Sequence, residues 1–253
     1  MKEFRFTKEE LCPENNADDA YWLKLASPPD SASLLTQTSG KKAHSVQWRE
    51  NRPALIVSGT SWTADEDFGV LLHALCDYDQ RARHRNEEKE KHGADTDRKH
   101  HLPHLVVVIT GKGPMKAFYE AEMRKQSWKY VRVVTRWLVA EDYPKLLGSA
   151  DLGVSLHQSS SGLDLPMKVV DMFGCNLPVI SYNYETYFSN ILVCHLLLCR
   201  IQELVVPNKT GVLFANSKEL ADRICVSFLL HHYKNTFSTC WMDFPTIKNV
   251  LSI

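Results

Sequence analysis

The sequence of 253 residues carries no net charge, since thirty basic residues balance thirty acidic ones. Strong nucleic-acid binding usually needs a basic excess that displaces counterions, so no nucleic-acid partner is expected. A long hydrophobic run is missing too: the longest, residues 191–199, includes His195. Because a membrane-spanning helix needs about 20 apolar residues, no transmembrane segment is predicted and the chain is expected to be soluble by itself.

Several short signatures are also missing. The seven cysteines include no C-x-x-C pair, so neither a disulfide framework nor a metal site is predicted. The P-loop spacing G-x-x-x-x-G-K-[ST] does not occur, which excludes a P-loop nucleotidase. The G-x-G-x-x-G fingerprint does not occur either, and this disfavours a Rossmann-type dehydrogenase.

From Pro53 onwards, short apolar runs alternate with helical patterns. Buried strands are predicted at residues 54–58, 105–109, 130–135, 152–156 and 177–181. Strands that alternate with helices imply a parallel sheet with right-handed crossovers. The predicted fold class is therefore α/β, with a Rossmann-like, doubly wound parallel sheet formed by residues 53–230.

Two segments lack this pattern. Residues 1–52 are poorly periodic, and we predict an irregular N-terminal segment there. Residues 81–101 (RARHRNEEKEKHGADTDRKHH) offer almost nothing to bury, which predicts a solvated, mobile loop that could be removed without loss of stability.

Sheets of this kind bind ligands beyond the carboxyl ends of their strands. Two strand-to-helix turns combine glycine with polar side chains there: Gly59, Thr60 and Ser61, and then Gly111, Lys112 and Gly113. Glycine allows a ligand to approach the backbone, and a helix N-terminus favours an anion, so a diphosphate would fit both turns. An ordinary capped turn explains the first equally well, and helix-start chemistry at Pro114 explains the second.

A third candidate is the Ser/Gly-rich loop that opens into a helix near Pro166. It contributes Ser161, Gly162 and Asp164 from the loop and Lys168 and Asp171 from the helix. A lysine can neutralise a phosphate, and a carboxylate can accept two hydrogen bonds from the vicinal diol of a ribose. This pairing favours a nucleotide diphosphate, although a surface ion pair between Lys168 and Asp171 is the simpler alternative.

Four blocks together resemble one family. They are residues 58–68 (SGTSWTADEDF), 108–114 (VITGKGP), 137–157 (WLVAEDYPKLLGSADLGVSLH) and 159–175 (SSSGLDLPMKVVDMFGC). In this order they resemble the chitobiosyldiphosphodolichol β-mannosyltransferases of the N-glycan pathway, in their C-terminal, donor-binding half.

The resemblance implies the C-terminal domain of a GT-B glycosyltransferase. It also implies transfer of a β-1,4-mannose from GDP-mannose to dolichol-diphosphate chitobiose at the cytosolic face of the endoplasmic reticulum membrane, without a metal cofactor. Asp171 matches the acidic residue that holds the nucleotide ribose. Leu163 stands where the superfamily has a glutamate, and Asp164, one residue on, is the candidate sugar contact.

The sequence departs from the family in three places. The first 52 residues are too short for an acceptor-binding domain, residues 187–200 (YFSNILVCHLLLCR) form an atypical insertion, and residues 231–253 are an unplaced tail. No residue is assigned as the catalytic base, and we expect the chain to be inactive alone. The alternative function is a non-catalytic interaction module, with other glycosyltransferases of the endoplasmic reticulum as candidate partners.

Overall fold

The computed structural model describes residues 6–12, 20–26, 33–39, 45–49, 51–91, 101–158, 166–184, 201, 204–206 and 210–231. The predicted insertion at 187–200 lies outside these residues, as does the tail beyond His231. No helix in the described part of the chain is both long and apolar enough to cross a membrane.

Six parallel strands form the main sheet. They are β3 (Ala54–Gly59), β4 (Leu105–Thr110), β5 (Val131–Arg136), β6 (Leu152–Ser155), β7 (Val179–Tyr182) and β8 (Gly211–Phe214). Their spatial order is β5-β4-β3-β6-β7-β8, and every neighbouring pair is parallel. This is the doubly wound order of a Rossmann-like sheet, so the predicted fold class is confirmed.

Helices cover both faces of this sheet. They are α3 (Phe68–Lys91), α4 (Lys116–Arg124), α5 (Tyr143–Ser149), α6 (Met167–Gly174) and α7 (Ser217–His231). Residues of α3 and α7 pack on one face with Ile56, whereas residues of α5 and α6 pack on the other with Leu55 and Val57. Strands buried on both faces read as continuous apolar runs, which is why β3 and β4 were predictable.

The described parts of the N-terminal segment form regular elements, which corrects the prediction that the segment is irregular. It contributes helices α1 (Lys8–Leu11) and α2 (Ala20–Ala26) and an antiparallel pair, β1 (Thr36–Ser39) and β2 (Ser45–Trp48). Leu11, Trp22 and Leu25 join the apolar cluster that contains Leu55 and Val57. The short helices escaped prediction because each buries only one or two side chains.

The predicted loop at 81–101 is also corrected, because residues 81–91 complete helix α3. Tyr78, Ala82 and Asn86 are spaced four residues apart and are all buried, so they form a narrow stripe on one side of the helix. The surrounding charges hid this stripe in the sequence. Residues 92–100 lie outside the described residues.

Candidate functional site

The centre of the sheet contains the point at which the strand order reverses. From β3 the chain continues to β4 on one side, whereas from β6 it continues to β7 on the other. The two crossovers diverge, which leaves a crevice at the carboxyl ends of β3 and β6. Gly59 ends β3 at this edge, and Thr60 and Ser61 follow it, as the sequence predicted.

The turn after β3 has an unusual backbone. Trp62 has a φ of 52°, in the left-handed region that bulky residues rarely adopt. Its buried ring lies 4.7 Å from the ring of Phe68, centroid to centroid, and its amide donates to Thr60 Oγ1 at 2.9 Å. The ring is thereby anchored in the core while Ser61 stays exposed at the edge.

The turn after β4 packs directly against the turn after β3. Gly111 has a φ of 138°, and a Cβ at Gly111 would overlap the Thr60 carbonyl oxygen. A Cβ at Gly113 would likewise overlap the carbonyl of Ser61. Both glycines are therefore required by contact between the two turns, a role that the sequence did not reveal.

Lys112 lies beside an exposed aromatic ring. Its Nζ is 4.2 Å from the centroid of the Trp137 ring, a cation–π distance, and 60% of Trp137 is exposed. The two residues follow β4 and β5, so they extend the carboxyl edge of the sheet away from the central crevice. In the chain Lys112 stands between Gly111 and Gly113, whose turn packs against Thr60 and Ser61.

Glu66 is a central residue of the site that the sequence analysis missed. It is 4% exposed, and its Oε2 accepts hydrogen bonds from the Thr60 hydroxyl and, at 2.7 Å, from the Ser61 amide. Its Oε1 accepts from Lys168 Nζ at 2.8 Å. Burial opposes ionisation of Glu66, but the hydrogen bonds from Lys168 and Thr60 and the charge of Lys168 keep its pKa below the ordinary value.

Lys168 extends from the first turn of α6 across the end of β3. Its Cδ is 3.3 Å from the position that a Cβ of Gly59 would occupy, and its Nζ is 3.4 Å from Ser61 Oγ. Its salt-bridge partner is Glu66, at 2.8 Å. Lys168 is therefore paired with Glu66, in place of the simple ion pair with Asp171 that the sequence also allowed.

Asp171 and Tyr143 complete this side of the crevice. Asp171 is exposed on α6, and the hydroxyl of Tyr143 is 3.5 Å from the Cβ position of Gly59. Burial and, to a lesser extent, the negative charge of Asp171 raise the pKa of Tyr143 to about 12. Tyr143 is thus a neutral hydroxyl between Gly59 and the carboxylate, and it was not predicted.

The remaining predicted site residues, Ser161, Gly162 and Asp164, lie outside the described residues. Within the described ranges, no group of His, Cys, Asp and Glu side chains is arranged to hold a metal ion. Among the described residues, the crevice brings together glycine backbone, hydroxyls and the ammonium group of Lys168, with the Asp171 carboxylate at its side. The first three groups suit a phosphate-bearing ligand.

Curated proteins of known name are similar to most of this chain. It is 51% identical over 221 residues to the UDP-glycosyltransferase TURAN of Arabidopsis thaliana, a match that covers 87% of this chain and 44% of that protein. It is 45% identical over 201 residues to the chitobiosyldiphosphodolichol beta-mannosyltransferase of Homo sapiens, covering 79% of this chain and 37% of that protein.

The chain belongs to this family of glycosyltransferases. The resemblance carried by the four sequence blocks is therefore confirmed. The chain spans less than half the length of these two relatives, 44% and 37%, so it corresponds to one part of such an enzyme.

Likenesses among solved structures are weaker. The Anabaena protein HepE in complex with UDP and glucose has a TM-score of 0.48 and 15% identity, covering 97% of this chain and 49% of that chain. The catalytic domain of the cholesterol-alpha-glucosyltransferase of Helicobacter pylori has a TM-score of 0.45 and 13% identity, covering 79% and 100%. No protein-family model matches the chain.

Proposed function

We propose that this chain is the donor-binding part of a mannosyltransferase. In this proposal it binds GDP-mannose for transfer of a β-1,4-mannose to dolichol-diphosphate chitobiose, on the cytosolic face of the endoplasmic reticulum. The observation that carries the proposal is the convergence of Lys168, the Gly59–Ser61 turn and the start of α6 at the strand-order reversal.

This convergence suits the chemistry of a leaving diphosphate. Negative charge develops on the diphosphate as the glycosidic bond to the donor breaks, and preorganised cations and helix N-termini stabilise such charge. Lys168 is in the first turn of α6 and supplies the ammonium group. Transfer would then need no metal ion.

Asp171 is the proposed partner of the ribose, one turn further along α6. Its carboxylate is exposed and can accept two hydrogen bonds from a vicinal diol. The acceptor, by contrast, would be bound by the part of the enzyme that this chain does not match. We assign the catalytic base to that part as well, because GT-B enzymes of the inverting type place the donor and acceptor sites in different domains.

Experiment must decide the nucleobase of the donor and the choice between two candidate functions. One relative is named a UDP-glycosyltransferase and another a mannosyltransferase, so the nucleobase must be measured. A non-catalytic interaction module within a glycosyltransferase complex is the second candidate function, and such a module needs no nucleotide site.

Calorimetric titration of the purified chain with GDP, GDP-mannose, UDP and NAD separates these candidates. Binding of GDP and GDP-mannose with weaker binding of UDP supports the proposal. Preference for UDP would retain a donor domain but change the donor, and binding of NAD alone would favour a dehydrogenase. A folded chain that binds none of the four would favour the interaction module.

A further inference from the structure

The carboxylate of Glu66 lies beneath the proposed diphosphate site and joins three of its groups. It accepts hydrogen bonds from the Thr60 hydroxyl, from the Ser61 amide at 2.7 Å and from Lys168 Nζ at 2.8 Å. Its side chain is only 3% exposed. Glu66 therefore has almost no surface with which to touch a ligand, and any influence on binding must act through its neighbours.

A buried carboxylate is costly unless hydrogen bonds and an opposite charge compensate it. Here each oxygen has a separate function. Oε2 holds the turn through Thr60 and Ser61, whereas Oε1 holds the ammonium group of Lys168. The same side chain thus fixes the backbone of the turn and the position of the cation above it.

Lys168 remains accessible while it is held in this way. Its side chain is 30% exposed, and its stem lies along Gly59, with Cδ 3.3 Å from the Cβ position of that glycine. An ammonium group has three N–H donors, of which one is used by Glu66 and a second is 3.4 Å from Ser61 Oγ. As far as the described residues go, a third N–H donor is left for a ligand in the crevice.

We propose that Glu66 is the positioning residue of this site, which fixes Lys168 over the turn at Ser61 so that its ammonium group meets the diphosphate of a nucleotide sugar. The inference rests on the proposed function, because it assumes that a nucleoside diphosphate binds here. A lysine side chain that is already fixed loses less rotamer freedom on binding than a free one does, and this preorganisation strengthens binding.

The substitution Glu66→Gln tests this role with little change in shape. The amide oxygen of glutamine can still accept from Thr60 and Ser61, whereas the amide nitrogen then faces Lys168 and cannot accept its hydrogen bond. The turn should therefore persist while Lys168 is released. We expect the affinity for GDP, or for UDP if that is the preferred nucleotide, to fall by about tenfold or more.

A double-mutant cycle distinguishes positioning from a general structural role. In a Lys168→Met background, Glu66→Gln should change the affinity for the same nucleotide by less than about twofold, because the residue it acts through is gone. Affinity for the matching nucleoside, which has no diphosphate, should be the same in all four proteins. The conservative variant Glu66→Asp, with a shorter reach to Lys168, should show an intermediate loss and serves as the folded variant if Glu66→Gln does not fold.

Asp67→Asn is the matched control, since it removes one negative charge from the adjacent, exposed position. Asparagine can still accept the hydrogen bond that Asp67 takes from the Gly69 amide at 2.9 Å. Nucleotide affinity should be unchanged in this control. Three results would overturn the inference while leaving the proposed function intact. They are an equal loss of affinity on Glu66→Gln in the Lys168 and Lys168→Met backgrounds, an equal loss for the nucleoside and the nucleoside diphosphate, and a gain in affinity on Glu66→Gln. Failure of the unmodified chain to bind either diphosphate would overturn both.

Discussion

At the scale of single residues, the neighbours of Asp171 bear on its proposed role as the partner of the ribose. The carboxylate is exposed on α6 and close enough to Tyr143 for its charge to raise the pKa of that phenol. Tyr143 in turn lies against Gly59, at the end of β3. A diol bound by Asp171 would therefore lie next to the turn proposed to bind the diphosphate, as the structure of a nucleotide requires.

Asp171→Asn should weaken nucleotide binding without destabilising the fold. The side chain is exposed, so its removal costs little in packing, whereas the lost carboxylate–diol hydrogen bonds should cost about 1.5–3 kcal/mol. Calorimetric titration with GDP and a thermal unfolding curve check the two halves of this prediction. The control is Asp142→Asn, whose carboxylate forms an exposed salt bridge with Lys145 at 2.7 Å. An unchanged affinity in folded Asp171→Asn would remove this residue from the site.

The sequence could predict residues whose chemistry depends on local position. Gly59, Thr60 and Ser61 follow an unmistakable buried strand, so their place at the ligand-binding edge could be inferred. Glu66 could not be distinguished from Asp65 and Asp67, because three successive acidic residues look alike as a helix start. Only the fold turns one of them inward, towards a lysine that lies 102 positions away in sequence.

At the scale of elements, helix α3 is the clearest case in which composition misled the prediction. The second half of the helix is largely charged, yet it is attached to the sheet by polar contacts as well as apolar ones. Asn86 donates to the Leu102 carbonyl at 3.0 Å and accepts from the Leu102 amide at 3.1 Å. These hydrogen bonds satisfy the buried carbonyl and amide of Leu102, shortly before the start of β4.

Asn86→Ala should therefore destabilise the protein. The substitution leaves the amide and the carbonyl of Leu102 buried without these partners, and each such group costs about 1–3 kcal/mol. A decrease of about 2 kcal/mol or more in the free energy of unfolding is expected from urea denaturation. Glu88→Ala, an exposed change on the same helix, should have almost no effect. Equal stability of the two variants would restore the prediction that this segment is dispensable.

Helix α7 illustrates an element that could have been found. Its start carries a capping signal, in which the Glu219 amide donates to Asn216 Oδ1 at 2.9 Å and the Ala215 amide donates to Glu219 Oε2 at 2.9 Å. Such a pair three residues apart is a recognised helix start. No local signal, by contrast, could have shown that α7 packs beside α3.

At the scale of the whole molecule, the N-terminal segment belongs to the same core as the sheet. Trp22 is fully buried, its Nε1 donates to the Lys129 carbonyl at 2.8 Å, and the Arg132 guanidinium lies 4.6 Å from the centroid of its ring. Arg132 Nε also donates to the Leu11 carbonyl at 2.7 Å. Helices α1 and α2 thus pack against the edge strand β5 through the side chain of Arg132.

Trp22→Ala tests this attachment. Removing a buried tryptophan costs about 3–5 kcal/mol through lost packing and the cavity that remains, so the free energy of unfolding in urea should fall by about that amount. Trp22→Phe retains one aromatic ring but loses the hydrogen bond and part of the ring volume, so its effect should be smaller than that of Trp22→Ala. If both variants unfold at the wild-type urea concentration, α2 does not contribute to the core.

Catalysis by the isolated chain tests whether the acceptor site lies in another part of the enzyme. The 253-residue chain, purified alone, should bind the donor nucleotide but fail to transfer mannose to a chitobiose-diphosphate lipid. It matches only 37% of the length of the human mannosyltransferase, and the described site contains the groups proposed to bind a diphosphate and a ribose but no assigned base. Holding donor and acceptor together can lower a barrier by about 7–11 kcal/mol, a contribution that a donor site alone cannot supply.

Two radiochemical assays check this prediction, one of nucleotide binding and one of mannosyl-lipid formation. Fusion to the part of the human relative that this chain does not match should restore turnover, and the same fusion carrying Asp171→Asn, the control for donor binding, should lose it again. The fused part would supply the acceptor site and the base. Activity of the fusion, with none in the isolated chain, would therefore place donor binding and acceptor binding in separate parts of the enzyme. Robust transfer by the isolated chain would instead require an acceptor site within the 253 residues themselves.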